Sequence, residues 1–533
     1  MTSEIRTLHD HEVLFVNDSP YYCIGGEVHN SDSSSPEYME HIWKTADDLG
    51  MNTLLLPVSW EMIEPQEGIF DFSSADVLIR QAEQWKKKVI FLWFGSWKNA
   101  EMMYAPDWVK KDRQRFRRAQ IIKGEDKSVR TFMGARQTYY SLSYLCEETM
   151  RADGRAFAAL MAHIRDIDQE KNTVIGVQVE NETGLLGAVR EQSDEADAAF
   201  AQNVPEDFVR WMRAHKETMA EDVRTSVENG AESGTWKEVF GSNAEEIFSA
   251  YYVSRFVNGV AEQGKKVYDL PMFANCWLAG SGVPGNYPSG GPVSRMHEVW
   301  RYCAPCISVL CPDIYVPEFL EVCDDYTRTQ PLFIPEAATH SYAGSRLVYS
   351  IGHYHAMCFS PFGFDDIGKP FTAIQGFMFG MDVTDPALKT PQDAGEYGWF
   401  GKTLNALMPV IAARYGTDQL QAVCAEEKKD GQVIHIGKLK LGVSFRNLMI
   451  PMPENGCVLA ASVSEDEFYL IAYRCALTLE AEDAKNLDIL DLEEGTYENG
   501  SWKRGRRLNG DEAAFLMFEQ PVLLRLKIHT YND

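Results

Sequence analysis

A chain of 533 residues with 51 Lys and Arg against 78 Asp and Glu carries a formal charge of −27, which argues against nucleic acid or anionic membrane as a partner, because both need a positive footprint. Its 45% hydrophobic and 24% charged residues exclude a disordered or fibrous chain, and the length holds a barrel of about 250 residues with insertions and a further domain. The 12% aromatic content, with 12 Trp, suits a sugar-stacking site, although cores use the same residues.

In chain order, the first twenty residues are polar, and their longest apolar stretch, Val13 to Val16, is too short for a secretory core. Nowhere do about 18 apolar residues run together, so nothing reads as a bilayer span and a cytoplasmic location is expected. Tyr21 to Gly26 is a short apolar run. Ser35-Pro36 opens a helix with Met39, Ile42, Trp43, Ala46 and Leu49 on one face, and Gly50 closes it. Thr53 to Val58 is continuously apolar, as a parallel strand buried on both faces should be. A second helix over about 74–87 leads into Val89–Phe94, and a third, with Phe157, Leu160, Met161, Ile164 and Ile167 at helical spacing, leads into Val174–Val179. Further strand candidates are Met272–Cys276, Ile307–Leu310, Leu332–Ile334 and Ala356–Phe359. Repeated strand–helix–strand units imply a parallel sheet, and eight of them predict an α/β fold, a (β/α)8 TIM barrel over residues 1–416. An acidic helical insertion over about 192–264 is expected to decorate its mouth.

After about residue 416 the pattern changes. Asp430-Gly431, Asn455-Gly456, Asn499-Gly500 and Asn509-Gly510 read as hairpin turns between short β runs such as Gln432–Gly437, Phe468–Tyr473 and Val522–Ile528. Residues 417–533 are predicted to form a C-terminal all-β sandwich.

Eleven cysteines sit mostly in apolar runs, which fits reduced buried thiols better than a disulfide framework. Cys303, Cys306, Cys311 and Cys323 lack the second C-x-x-C knuckle of a structural zinc site. His353 and His355 have no third ligand at matching spacing and read as a structural pair. No metal and no cofactor are expected. Gly280 to Gly285 matches G-x-G-x-x-G, but Pro284 forbids the helix that motif requires. No G-x-S-x-G or Walker A pattern occurs, so neither acyl nor phosphoryl transfer is indicated.

In a barrel of this kind, catalytic side chains sit at the C-terminal ends of strands. Gln178-Val-Glu180-Asn181-Glu182 ends the fourth strand and Pro335-Glu336 the seventh, across the barrel axis. Two carboxyls facing a bond suit glycoside hydrolysis, in which one protonates the leaving oxygen and the other stays ionised to attack or to activate water.

The same residues carry a resemblance. Gln178-Val-Glu180-Asn181-Glu182 resembles the Q-x-E-N-E signature of glycoside hydrolase family 35. Trp60-Glu-Met-Ile-Glu64-Pro65 through Asp71-Phe72 resembles the second-strand segment of families 35 and 42, and Gly26-Glu27-Val28-His29 the first-strand end of family 35. With Leu92 to Lys98, the chain is similar to the bacterial β-galactosidase-like branch of clan A, the group with a DUF5597-type β domain. It departs from family 35 at Thr183, where an aromatic is usual, at Ile175-Gly176, where Gly-Gly-Pro is usual, and at Glu61 and Ile63, where Asn and His are usual.

The resemblance implies a retaining exo-glycosidase, with Glu182 as acid/base and Glu336 as nucleophile. Asn181 would bind the sugar 2-OH, and Tyr315 would donate to the nucleophile. Trp60, Trp97 and Trp277 are candidate stacking platforms, and Glu27, His29 and Glu61 candidate hydroxyl ligands. The expected substrate is a small carbohydrate ending in a β-D-galactoside. The alternatives are a β-glucoside, an α-L-arabinopyranoside or a galacturonide, or a carbohydrate-binding protein without catalysis. The appended domain and the insertion offer interface surface, so a homo-oligomer is expected.

Overall fold

A computed structural model describes residues 3–127, 129–130, 138–280, 282–372, 375–376, 390–446 and 454–533. Eight parallel strands form a closed barrel: Cys23–Glu27, Thr53–Ser59, Lys88–Phe94, Val174–Val179, Met272–Trp277, Val309–Ile314, Phe333–Ala337 and Cys358–Pro361. Each pairs with its neighbour in sequence, and the eighth returns to the first. Nearly all of their residues are buried, because helices cover the outside and side chains fill the inside. The sixth strand starts two residues later than the apolar run at Ile307 and extends to Ile314, which carries Asp313 into the sheet.

Local signals explain the helical ring. Ser35 accepts a hydrogen bond from the Tyr38 N–H and Pro36 occupies the first turn of the helix Pro36–Asp48, which buries Met39, Ile42, Trp43 and Ala46. The segment expected as one helical insertion divides. Four short helices, Asp194–Phe200, Glu206–Ala214, Glu221–Asn229 and Trp236–Phe240, follow the end of strand four. The long helix Ala244–Lys265 instead belongs to the ring, packed along Glu147–Asp168. Its Gly259 and Gly264 sit against Met150 and Phe157, and a Cβ at either would clash.

Ahead of the barrel, Ser3–Leu8, His11–Val16 and Ser19–Tyr21 form an antiparallel sheet that the sequence reading left unassigned. Leu14 and Val16 pack with the inward residues Cys23, Leu55, Ile90, Ile175, Phe273 and Phe333. Ser3 donates to Asn172, two residues before strand four, at 3.0 Å. This sheet is therefore the floor of the barrel, opposite the C-terminal ends of its strands.

The C-terminal region is a sandwich of a six-stranded and a four-stranded antiparallel sheet. The six-stranded sheet is covered on both faces, and its side chains divide with period two. Val458, Ala460, Phe468, Leu470, Leu524 and Leu526 face the smaller sheet, whereas Leu459, Ala461, Tyr469, Ile471, Tyr473 and Leu523 face the barrel. Gly352 on the barrel helix Ala343–Gly352 lies against Ala422 and Leu459. Of the four dipeptides expected to turn hairpins, only Asn499-Gly500, with φ of +50° and +77°, joins two paired strands. Gly431 precedes a strand, and Gly510 precedes the short helix Asp511–Ala514. Other tight hairpins turn at Gly437, with φ of +55°, and at Glu465-Asp466, whereas Arg474, with φ of +48°, passes the chain from the larger sheet to the smaller.

Cys311 lies inside the barrel and Cys323 on the helix Phe319–Thr327. Among the described residues the four cysteines do not gather at ligand distance. His353 stacks on Tyr349 and His355 on Tyr415, so the two rings serve different neighbours. No described helix is long and apolar enough to cross a membrane.

Candidate active site

Four carboxyls and one ammonium converge at the C-terminal ends of the strands. Glu336 lies in register with Asp313 on the adjacent strand. It receives three donors: Asn181 Nδ2 at 3.3 Å and Asn275 Nδ2 at 3.2 Å on Oε1, and the Tyr315 hydroxyl at 2.6 Å on Oε2. Three donors favour the ionised form. Burial and the neighbouring Glu336 push the Tyr315 hydroxyl well above its ordinary range, so its proton stays available for that bond.

Glu182 enters from strand four. A sharp departure from the strand aims it: Glu180 and Glu182 both have positive φ, +63° and +45°, a strained conformation for residues with a Cβ. Neighbouring segments clamp the turn. Asn181 N–H donates to the Trp97 carbonyl at 3.3 Å, Glu182 N–H to Asn275 Oδ1 at 3.0 Å, and Ala100 N–H to the Glu182 carbonyl at 3.0 Å. Oxygens of Glu182, Asp313 and Glu336 all lie within 4.8 Å of one another. Burial, and then the charge of Glu336, push the Glu182 carboxyl up to about 7, against the pull of Lys98. The arrangement thus holds one carboxyl as an anion beside another that keeps its proton near neutrality, which is what two-carboxylate glycoside hydrolysis needs.

Lys98, at the end of the third strand's loop, is 7% exposed and donates to Asn181 Oδ1 at 2.9 Å. Burial works against its charge, but Glu336, Glu182, Glu27 and Asp313 outweigh that and raise its pKa. Glu27 is fully buried, and neither carboxylate oxygen has a partner. Burial and Glu336 hold its pKa well above the carboxylate range, which favours its protonated form.

The remaining sequence candidates separate. Trp277 is 44% exposed at the end of strand five and free to stack. Trp60 is not: it is fully buried, edge-on to Trp108, and donates to Glu64 at 2.8 Å. Trp97 is also core, edge-on to Phe256. Both correct the stacking expectation, because a platform needs an open face. Glu61 lies at the rim and pairs with Lys110 at 3.3 Å. His29 meets Asp366 at 3.1 Å beside Phe362. Sequence reasoning missed Lys98, Asn275 and Asp313. The last two precede the named candidates Trp277 and Tyr315 by two residues at the same strand ends, and that period-two spacing was the available signal.

Two groups of described residues have the spacing of metal ligands. In the Glu182, Asp313 and Glu336 group, N–H and O–H donors already occupy the Glu336 oxygens, so its chemistry is that of acids. In the His29, Asp365 and Asp366 group, Lys369 and Gln375 already donate to Asp366.

Among solved structures, the chain is similar to a β-galactosidase from Bacillus circulans sp. alkalophilus, at 13% identity and TM-score 0.44. It is also similar to those from the psychrophilic Marinomonas ef1 (14%, 0.45) and the Antarctic haloarchaeon Halorubrum lacusprofundi (15%, 0.42). Each alignment covers 72% of this chain, and the chain spans 56%, 59% and 62% of those proteins. No curated protein matches. Residues 13–123 match glycosyl hydrolases family 35, and residues 402–518 match a domain of unknown function, DUF5597. The family 35 match covers the first three barrel strands and Lys98, and ends before Glu182 and Glu336. The chain thus joins a segment similar to glycosyl hydrolases family 35 at the start of its barrel to a DUF5597-like domain that follows it.

Proposed function

We propose that the protein is a retaining exo-glycosidase that releases terminal β-D-galactose from small oligosaccharides or glycosides. Glu336 attacks the anomeric carbon while Glu182 passes its proton to the leaving oxygen. Glu182, now a carboxylate, then takes a proton from the water that hydrolyses the glycosyl–enzyme, and Glu336 is released. The observation that carries this reading is the asymmetry of the pair: three donors on Glu336, against burial that leaves Glu182 protonated up to about pH 7. Their nearest oxygens, within 4.8 Å, favour direct attack over the wider spacing of inverting enzymes, about 6.5–9.5 Å.

Asn181, tied to both Lys98 and Glu336, is in reach of the sugar 2-OH. The exposed face of Trp277 suits the aglycone. The two bare oxygens of Glu27 suit a pair of glycone hydroxyls.

A panel of nitrophenyl glycosides followed by proton NMR tests the proposal. The β-D-galactoside is expected to turn over fastest, with β-galactose as the first product. A preferred β-glucoside or α-L-arabinopyranoside would replace the sugar and keep the mechanism. α-Galactose appearing first would overturn the nucleophile assignment.

A further inference from the structure

We propose that Asp313 works as a neutral carboxylic acid whose O–H donates to Glu182, fixing that carboxyl and stabilising its charge once its proton has left. In this role it is a positioning residue. Asp313 is 3% exposed, and its two oxygens differ. Oδ2 accepts from Asn275 Nδ2 at 2.8 Å, whereas Oδ1 is buried without a donor. A bare buried oxygen on an ionised carboxylate is costly, and placing the proton there turns it into a donor. One oxygen each of Asp313, Glu182 and Glu336 lie within 4.8 Å of one another, and Asp313 and Glu182 share a side-chain hydrogen bond.

Charge counting selects which carboxyls keep protons. The groups facing this cluster are Glu336, Glu182, Glu27, Lys98, Tyr315 and Cys276. Lys98 supplies one positive charge, and its ammonium hydrogen bond goes to Asn181 rather than to a carboxylate. One cation balances one anion. That anion is Glu336, the carboxyl with three donors. Asp313 has one N–H donor, and the Glu182 carboxyl has none, its side-chain hydrogen bond being with Asp313. Asn275 is saturated: its two N–H groups serve Asp313 and Glu336, and its oxygen takes the Glu182 N–H. It has no hydrogen left for Glu182, so Asp313 is the neighbour able to offer one. Burial followed by the charges of Glu336 and Glu182 drives the Asp313 pKa well upward, in the same direction.

The consequence rests on the double-displacement reading, but the protonation state does not. When Glu182 gives its proton to the leaving oxygen, Asp313 keeps its own and hydrogen-bonds the new carboxylate. When water returns a proton to Glu182, the starting state is restored. No further reactant is needed.

Two measurements test this. Asp313→Asn is isosteric and carries an N–H in place of the O–H. A difference infrared spectrum of wild type minus Asp313→Asn at neutral pH should show the C=O band of a protonated carboxyl. Carboxylate bands in that difference would overturn the proposal, whether or not any glycoside is hydrolysed. The second is the pH profile of kcat/KM on a nitrophenyl glycoside. Asp313→Asn should lower turnover about threefold and leave the alkaline limb within about 0.3 unit of wild type. Asp313→Ala, which removes the donor, should move that limb upward and cost about thirtyfold on poor leaving groups. A downward move of about one unit or more in Asp313→Asn would show that an ionised neighbour had been removed, and would also overturn it. Failure of every glycoside to turn over would remove the glycosidase reading while the infrared result still decided the protonation state.

Discussion

Glu180 and Glu182 leave the same strand end two residues apart, the first fully buried and the second half-buried, and meet different fates. Glu180 turns toward the helix Glu147–Asp168, where Oε2 accepts the Trp97 N–H at 2.8 Å and a proton is shared with Asp153. Asp153 in turn takes the Trp93 indole at 2.8 Å and both the backbone N–H and hydroxyl of Ser96. This pair ties the third strand's loop, the one that carries Lys98, to the fourth strand. Glu182 faces the barrel axis, with carboxyls rather than N–H donors around it. Burial raises the pKa of both. A perturbed buried carboxyl therefore marks chemistry only where the surrounding donors leave it free to exchange a proton with a ligand.

Four experiments would break or sharpen that contrast. The largest effect is expected from Glu336→Ala. With nothing to attack the anomeric carbon, turnover should fall on the order of 10⁴-fold or more for every leaving group, and added azide should give the inverted glycosyl azide. Glu182→Ala comes next. It should cost about 10²–10⁴-fold on poor leaving groups and far less on dinitrophenyl glycosides, which depart without protonation, and azide should rescue it with retained configuration. Swapped azide stereochemistry between these two variants would mean that the roles are exchanged.

Glu180→Ala should act on the fold instead. Leaving the Trp97 N–H and Asp153 without their partner is expected to cost about 1–3 kcal/mol in a denaturant melt, while the dependence of rate on leaving group stays that of wild type. If that dependence changed as it does in Glu182→Ala, the division between bracing and chemistry would fail. The smallest effect concerns pH. Glu182 must be protonated to act as an acid and titrates at about 7, so kcat/KM should fall as pH rises through that value. Lys98 pulls this pKa down. Lys98→Met should therefore move the alkaline limb upward, by about one unit. A downward move would show that Lys98 does not face Glu182.

Much of this molecule is written locally. The apolar runs at 53–58, 89–94 and 174–179 mark strands buried on both faces, and Ser35-Pro36 marks a helix start, because these signals involve residues close together in the chain. Placement at strand ends was enough to single out the segment ending in Glu182 and Glu336, while Asn181 and Tyr315 were named through the family resemblance. Local signals misled where the outcome depends on what lies opposite. Trp60 and Trp97 look like Trp277 in sequence, but Trp108 and Phe256, which are distant in the chain, cover the first two and leave the third open. Asn-Gly dipeptides promise turns, yet strand pairing decides which of them closes a hairpin. The N-terminal hairpin is short and polar-flanked, and only the inward residues of the closed barrel give Leu14 and Val16 something to cover. The sequence by itself determined the alternation of strands and helices, the β domain and the two glutamates that face each other. Only the tertiary structure decided that Asp313, Asn275 and Lys98 join them, since a carboxyl's protonation depends on charges and donors brought within a few ångströms from five different strand ends, and the linear order of the chain does not hold that distance.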